Sequence, residues 1–313
     1  MSGRPERVTL VEVGPRDGLQ NEAAQIPSAE KIAFIDRLTE AGFPVVEVSA
    51  FVSPKWVPQM ADAAEVFAGI RRRPGTRYPV LVPNIAGLDR AHAAGVTDIA
   101  IFAASSETFS RRNINQSIDA SLETYRAVCD RALALRMRVR AYLSTAFGCP
   151  FEGAVDPRRV ADVAEALIDM GASEVAVSDT IGIAHPGQVP LVVTAVAQRV
   201  PLEKIALHFH DTRGTALANV LTALDLGIAT FDSSAGGLGG CPYAPGATGN
   251  LASEDLIYML NGLGIETGVN LDAVVEASAR IAEHVGHPPA SRYFRAARAA
   301  RASIPPGDRQ ASN

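Results

Sequence analysis

The chain has 313 residues, 47% of them hydrophobic and 20% charged, which is enough apolar material for a large core. The net charge of −5 argues against nucleic acid as the main partner, because there is no basic excess to neutralise phosphates.

No apolar run approaches the roughly 20 residues needed to cross a bilayer. Only about seven residues precede the first strand-like run, too few for a signal peptide. Three cysteines, an odd and sparse count, are typical of a reduced protein. We expect a cytoplasmic protein that binds neither nucleic acid nor membrane.

Strand-like and helix-like segments alternate along the chain. Eight short runs, mostly rich in β-branched or apolar residues, are predicted to be buried parallel strands. They are 8–13, 45–50, 78–82, 98–102, 138–144, 174–178, 205–209 and 230–234. Amphipathic helices are predicted between them at 28–41, 59–71, 117–135, 157–170, 186–200 and 215–226. The pattern favours an α/β fold with a single (β/α)₈ TIM barrel, although an open doubly wound sheet has the same alternation.

The chain continues beyond the eighth strand. We expect one domain over 1–313, with the barrel at about 8–235, a Gly-rich catalytic loop at 236–250, and additional C-terminal helices and a tail at 251–313. Two of those helices are predicted near 253–263 and 271–284. Arginines recur at helical spacing in the tail, at 292, 295, 298 and 301. We interpret them as a basic face that is solvated or packed on the barrel, not as a nucleic-acid site.

Active sites of such barrels lie at the C-terminal ends of the strands, where this sequence has a His-x-His pair. His208 and His210 are two residues apart on a strand, so their side chains point to one face. One interpretation is a pair of core histidines satisfied by hydrogen bonds. With Asp211 adjacent and Asp17 available, we favour metal ligation. A site of imidazole nitrogens with carboxylate and amide oxygens suits Mg²⁺ or Mn²⁺. It suits zinc less well, because no pair of cysteines accompanies the histidines.

The end of the first strand carries Arg16 and Asp17 between glycines. Arg16 is a fixed cation whose donor fork suits an enolate or thioester oxygen. The alternative is a buried ion pair with Glu47 or Asp179, and both interpretations can hold together because a buried arginine needs a partner.

Cys241 follows Gly236, Gly237, Gly239 and Gly240, which allow close approach to a ligand and loop movement. A thiol normally titrates near ~8.5 and neighbouring cations lower that value, so Cys241 is a candidate general acid or base. The alternative is a small buried hydrophobe, which we expect for Cys129 on a helix. Cys149 stays unassigned.

Four segments together resemble one known family. They are VEVGPRDGLQNE (11–22), FVSPKWVPQM (51–60), HFHDTRGTALAN (208–219) and GGLGGCPYAPGATGN (236–250). With them the chain resembles the 3-hydroxy-3-methylglutaryl-CoA lyases over most of its length. The last segment is the most specific. The Arg-Asp pair also occurs in a wider family of metal-dependent barrel lyases and synthases, whose synthases have a further C-terminal domain.

The resemblance implies that Asp17, His208, His210 and Asn250 hold Mg²⁺ or Mn²⁺. It implies that Arg16 contacts the thioester oxygen and that Cys241 lies on a mobile catalytic loop. The other positions that it places around the substrate are Gln20, Glu47, Tyr142, Ser178, Asp179 and Thr180, with Glu47 and Asp179 in catalytic roles. Animal members have serine where this chain has Ala176, and Ser178 faces the same side.

The expected reaction is cleavage of 3-hydroxy-3-methylglutaryl-CoA to acetoacetate and acetyl-CoA by a metal-assisted retro-aldol step. The base is Asp17 or Cys241, Arg16 stabilises the enolate oxygen, and Cys241 protonates the carbon. Two alternatives remain: a related lyase for an acyl-CoA with a longer 3-alkyl group, such as 3-isohexenyl, and a non-catalytic CoA-binding barrel. A homo-oligomer, most simply a dimer, is expected.

Overall fold

The computed structural model describes residues 3–240 and 249–303. Within these ranges nine short strands form one sheet in which all paired neighbours are parallel. The strands are β1 (Thr9–Glu12), β2 (Val45–Val46), β3 (Ser49–Ala50), β4 (Val80–Leu81), β5 (Asp98–Ala104), β6 (Arg138–Ser144), β7 (Val175–Asp179), β8 (Ile205–Phe209) and β9 (Thr230–Ser233). Their order is β2-β1-β9-β8-β7-β6-β5-β4-β3.

The sheet closes at the segment 45–50, which sequence analysis predicts as one strand. Its first half pairs with β1, and the amide of Glu47 donates to the carbonyl of Glu12 at 2.9 Å. On its other side, the Val46 amide donates to the Arg77 carbonyl at 3.0 Å and the Val48 amide donates to the Pro79 carbonyl at 2.9 Å, and β3 pairs with β4. The segment therefore lies between β1 and the chain that leads into β4, where it forms the two short strands β2 and β3. The predicted TIM barrel is confirmed.

Helices connect the strands and cover the outside of the barrel. They are α1 (Ser28–Glu40), α2 (Ala63–Gly69), α3 (Ile85–Ala93), α4 (Glu107–Ile114), α5 (Ile118–Ala134), α6 (Pro157–Asp169), α7 (Val189–Ala197), α8 (Ala216–Asp225), α9 (Ser253–Gly262), α10 (Leu271–Val285) and α11 (Arg292–Ser303). Barrel strands such as β8 are buried along their whole length, as expected for a parallel sheet covered by helices. Among the helices described here, none combines the length and the hydrophobicity of a membrane-spanning segment.

Helices α3 and α4 were not among the predicted segments, although each begins at a recognisable cap. The Asn84 side chain accepts a hydrogen bond from the Gly87 amide at 3.0 Å, and Ser106 accepts from the Phe109 amide at 3.2 Å. Asparagine and serine are favoured at this position because their oxygens satisfy amides that the first helical turn leaves unpaired. Both helices are short, so each contains too few residues for the helical repeat of hydrophobic positions to be recognised.

The basic face of the tail lies on α11 and contacts acidic groups of the chain itself. Arg292 Nη1 lies 3.3 Å from Asp211 Oδ2. At the other end of α11, Arg301 Nη2 lies 2.9 Å from Asp272 Oδ1, and its other terminal nitrogen pairs with Glu276. Arg292 and Arg301 thus attach α11 to the loop after β8 and to α10, whereas Arg295 and Arg298 are exposed, in agreement with the prediction of a basic face that is solvated or packed on the barrel.

Candidate active site

The residues after β1 form a single π-helical turn, Gly14–Gly18, that carries Arg16 and Asp17. The Asp17 amide donates to the Val13 carbonyl at 2.8 Å, and the Gly14 amide donates to Glu12 Oε1 at 2.8 Å. Gly18 packs closely on the following loop, since a Cβ there would lie 3.0 Å from Leu238 Cβ. The turn therefore places two charged side chains at the C-terminal end of the barrel.

Asp17, His208 and His210 meet at this end of the barrel. One ligand atom from each lies within 4.8 Å of the others, and this is a group of potential metal ligands among the described residues. The imidazole centroids are 5.2 Å apart, as expected for side chains on one face of β8 and its extension. Asn250 joins them, because its Nδ2 donates to Asp17 Oδ2 at 2.9 Å and to the Leu238 carbonyl at 3.0 Å.

Two atoms of this group are left without a partner in the described structure. His210 Nδ1 and Asn250 Oδ1 are both buried and make no hydrogen bond. Buried polar atoms are normally paired, so an imidazole nitrogen and an amide oxygen left unpaired beside a carboxylate call for a ligand. Mixed nitrogen and oxygen donors of this kind bind divalent cations. The four residues therefore fit a divalent metal.

The charge states of the group also suit a cation. Burial, with His208 adding a smaller effect, lowers the pKa of His210 to about 4, so its imidazole is neutral and has a lone pair to offer at neutral pH. Burial alone would raise the pKa of Asp17, but Arg16 and the two histidines outweigh it and hold that pKa at about 2. Asp17 is thus ionised throughout the physiological range.

Arg16 is buried and held on three sides. Its Nε donates to Glu47 Oε2 at 2.8 Å, its Nη1 donates to Asp17 Oδ1 at 2.8 Å, and its guanidinium carbon lies 5.1 Å from the Tyr142 ring centroid. Of the two ion-pair partners considered for Arg16, the structure therefore selects Glu47. Asp179 instead accepts the amides of Ile183 and Ala184 at 3.0 and 2.9 Å.

Glu47 links Arg16 to Tyr142, whose hydroxyl donates to the same Oε2 atom at 2.9 Å. The other oxygen, Oε1, is buried without a hydrogen-bond partner among the described residues. Burial raises the pKa of Glu47, and Arg16 offsets part of that rise. One carboxyl oxygen is therefore committed to holding Arg16 and Tyr142, while the other is available.

The remaining predicted substrate residues surround the same end of the barrel with different partners. Ser178 Oγ donates to the Ala176 carbonyl at 3.1 Å, and Thr180 Oγ1 accepts the Thr145 amide at 2.8 Å. Gln20 Oε1 is buried and unpaired in the described structure. Burial raises the pKa of Asp179 to about 6, although its two backbone donors lower it. Asp179 therefore orders the loop after β7 and makes no hydrogen bond to the metal-ligand group among the described residues.

Sequence analysis did not identify Glu12, which joins two parts of the site. Its Oε1 accepts the amides of Gly14 at 2.8 Å and Ala235 at 2.9 Å, and its Oε2 accepts the Ser253 hydroxyl at 2.6 Å. Burial raises the pKa of Glu12 to about 8, although these hydrogen bonds oppose the rise. One carboxyl thus connects the Arg16–Asp17 turn to the base of the Gly-rich loop. Cys241 lies outside the described residues.

Sequence analysis also missed Asp232 and Arg140, which lie inside the barrel beneath the histidines. Asp232 Oδ2 is 3.1 Å from His208 Nδ1, and Arg140 Nη2 donates to Asp232 Oδ1 at 2.6 Å. A signal was present, since each is a charged residue in the middle of a segment that is predicted to be a buried strand. Such residues are rarely buried without a partner.

A cavity of about 320 Å³ opens beside the base of the Gly-rich loop. It is lined by Asn21, Glu22, Pro288, Ala290 and their neighbours, including Gly236–Gly240 and His287. Glu22 and His287 close one side, with 2.9 Å between Oε2 and Nε2. The cavity therefore adjoins the described part of the Gly-rich loop.

Comparison with known proteins agrees with this geometry. The family model described as HMGL-like matches residues 7–281. The bovine hydroxymethylglutaryl-CoA lyase, mitochondrial, is 55% identical over 279 residues, covering 89% of this chain and 86% of its own. A Pseudomonas aeruginosa protein, 3-hydroxy-3-isohexenylglutaryl-CoA/hydroxy-methylglutaryl-CoA lyase, is 55% identical over 292 residues, covering 93% and 97%. The crystal structure of hydroxymethylglutaryl-CoA lyase from Pseudomonas aeruginosa has a TM-score of 0.93 at 55% identity, covering 95% and 99%. The chain belongs to the HMGL-like family.

Proposed function

We propose that this protein is a carbon–carbon lyase that cleaves 3-hydroxy-3-methylglutaryl-CoA to acetoacetate and acetyl-CoA. One observation carries the proposal: a group of metal-ligand atoms, two of them from His208 and His210, lies directly beside a buried arginine at the C-terminal end of a barrel. That combination matches a reaction in which a hydroxyl loses a proton while an enolate forms. The names of the relatives point to the same substrate.

Asp17, His208, His210 and Asn250 would hold the divalent metal. We propose Mg²⁺ or Mn²⁺, because the donors of this group are carboxylate, amide and imidazole atoms. Neither of the two cysteines within the described residues belongs to the group. When bound, such a cation acts as a Lewis acid and lowers the pKa of a hydroxyl that it coordinates.

Arg16 would stabilise the developing enolate oxygen of the acetyl-CoA product. Its Nε and Nη1 are occupied by Glu47 and Asp17, and its Nη2 makes no hydrogen bond to any described residue. A guanidinium held in this way needs no reorganisation when negative charge develops on the thioester oxygen, which is the condition for strong electrostatic stabilisation. Glu47 and Tyr142 would act by fixing its orientation.

The proton balance requires one group to accept the proton of the 3-hydroxyl and one to protonate the new carbanion. Breaking the bond between the second and third carbons leaves its electron pair on the acetyl fragment. Asp17 or the Cys241 thiolate would accept the hydroxyl proton, and the Cys241 thiol would protonate the carbon. General acid–base steps of this kind are typically worth about 100- to 10,000-fold in rate.

The other predicted residues would shape the substrate pocket. Gln20 offers a buried, unpaired oxygen, and the Ser178 and Thr180 hydroxyls lie at the C-terminal end of β7. Asp179 would contribute by ordering the loop that follows β7, through the two amides that it accepts.

The proposal is tested by incubating chelator-treated protein with 3-hydroxy-3-methylglutaryl-CoA and measuring acetoacetate. We expect no product without metal and restored activity with Mg²⁺ or Mn²⁺. Full activity after rigorous removal of divalent ions would refute the metal site, and no acetoacetate with either ion would refute the lyase activity. A parallel assay with the 3-isohexenyl substrate measures how far the pocket tolerates a longer alkyl group.

We also propose a cytoplasmic location and a homodimer. The two cysteines within the described residues, Cys129 and Cys149, are free thiols, which suits a reducing compartment. Cell fractionation tests the location, and analytical ultracentrifugation tests the oligomeric state.

A further inference from the structure

The two histidines of the proposed metal site differ in the partners of their Nδ1 atoms. His208 Nδ1 is 3.1 Å from a carboxylate oxygen of Asp232. His210 Nδ1, in contrast, is buried with no hydrogen-bond partner in the described structure. Of these two Nδ1 atoms, only that of His208 therefore contacts a carboxylate among the described residues.

We infer that Asp232 is a positioning residue that sets the tautomer and orientation of His208 for metal binding, and that Arg140 holds Asp232 in place. The inference rests on the proposed metal site. Asp232 lies on β9 directly opposite His208 on β8, because the two residues are partners in the parallel ladder. Asp232 is 2% exposed, so water does not compete for its oxygens.

The contact determines which imidazole nitrogen carries the proton. A carboxylate only accepts hydrogen bonds, so the hydrogen must lie on His208 Nδ1. The lone pair is then on Nε2, which is 4.0 Å from Asp17 Oδ2 and belongs to the metal-ligand group. The opposite tautomer would present an N–H to the cation and could not bind it. Partners of this kind orient ligating histidines and raise their basicity.

Arg140 fixes both oxygens of Asp232. Its Nη2 donates to Oδ1 at 2.6 Å and its Nη1 donates to Oδ2 at 3.2 Å. This bidentate pair of hydrogen bonds prevents the carboxylate from rotating away from His208. The Nε of Arg140 donates to Glu174 Oε1 at 2.6 Å, and the guanidinium carbon lies 4.8 Å from the Tyr142 ring centroid. Arg140 is therefore immobilised as well.

The test compares Asp232→Asn with Glu174→Gln, using titration of metal-free protein with Mn²⁺ followed by electron paramagnetic resonance of the free ion. The asparagine side chain has one acceptor oxygen where aspartate has two, so it cannot accept all the hydrogen bonds that Arg140 and His208 donate to Asp232. If the amide oxygen faces Arg140, the amide NH₂ group faces the N–H of His208, and the two donors repel each other. We expect Mn²⁺ affinity to fall about 10- to 100-fold. Glu174→Gln also removes a carboxylate from Arg140 but does not contact His208, so its affinity should stay within about twofold of wild type.

A second measurement needs no variant. In ¹⁵N-histidine spectra of the metal-free wild-type protein, His208 should carry its proton on Nδ1. A proton on Nε2 would overturn the inference even if Asp232→Asn failed to fold, and so would equal Mn²⁺ affinities of wild type and Asp232→Asn. If the wild-type protein bound no Mn²⁺ at all, the proposed metal site itself would fail, and this inference with it.

Discussion

Replacing Arg16 with lysine separates a catalytic arginine from one that only binds substrate. Lysine keeps the positive charge but loses the planar fork that contacts Glu47 and Asp17 at 2.8 Å each. An ammonium at this place has no planar face to lie against the Tyr142 ring as the guanidinium does. We therefore expect Arg16→Lys to lower turnover without an equal effect on substrate binding.

The size of the effect follows from what the fork does. Loss of one preorganised donor to a developing oxyanion typically costs about 100- to 1,000-fold in turnover, or roughly 2.7–4 kcal/mol. Stability should fall as well, because a buried oxygen of Glu47 or Asp17 that loses its donor costs about 1–3 kcal/mol. The expected signature is thus a fall of at least 100-fold in kcat, a much smaller change in KM, and a lower Tm.

Acetoacetate formation is measured over a range of substrate concentrations, at a temperature where the variant is fully folded. Arg213→Lys is the matched control, since Arg213 also uses its guanidinium near this end of the barrel, donating to the Ile181 and Gly182 carbonyls at 3.1 and 2.8 Å. The control should keep kcat within about twofold, because it has no contact with the proposed reacting atoms. If Arg16→Lys raised only KM, Arg16 would be a binding residue and its assignment to the enolate would be wrong.

Three further changes test other parts of the site. Cys241→Ala should lower turnover by about 100- to 10,000-fold and leave Mn²⁺ affinity unchanged. The control Cys129→Ala should keep normal turnover, because Cys129 lies in the buried face of α5. Normal turnover of Cys241→Ala would remove that thiol from the mechanism. Thr145 has a φ of 59°, so in urea unfolding Thr145→Gly should be about 1–2 kcal/mol more stable than Thr145→Ala, and the reverse order would show that the backbone there is unstrained. The pKa of Glu12 is raised from 4.5 to about 8, so the folded protein keeps a proton that the unfolded chain loses. The Tm of wild type relative to Glu12→Gln should therefore fall as pH rises from 4.5 to 8, and a difference that does not change with pH would contradict the raised pKa.

Local sequence patterns are sufficient to identify much of the site. The alternation of apolar strands with amphipathic helices predicts the barrel. The spacing of hydrophobic residues distinguishes helices from strands, and continuous apolar strands indicate a sheet that is buried on both faces. His208 and His210 are predicted to share a face because strand geometry alone fixes their direction. Arg16 and Asp17 are recognisable because they follow a predicted strand, where barrel active sites lie.

Other features depend on which strands become neighbours when the barrel closes. Sequence analysis leaves both Glu47 and Asp179 as possible partners for Arg16. The structure selects Glu47, because its segment pairs with β1 and its Oε2 atom lies 2.8 Å from Arg16 Nε. The segment 45–50 likewise closes the barrel by pairing with β1 on one side and β4 on the other, and no residue within the segment predicts these partners.

The fold class and the groups that carry charge and lone pairs can thus be predicted from the sequence, since they depend on spacing within single elements. How those groups are held depends on the contacts that form when the barrel closes. Asp232 meets His208 across 24 residues and Glu12 meets Ala235 across 223, because parallel strands distant in the chain are adjacent in the closed sheet. Spacing along the chain contains no information about such pairs, whereas the distances between their atoms decide which nitrogen is protonated and which loop is anchored.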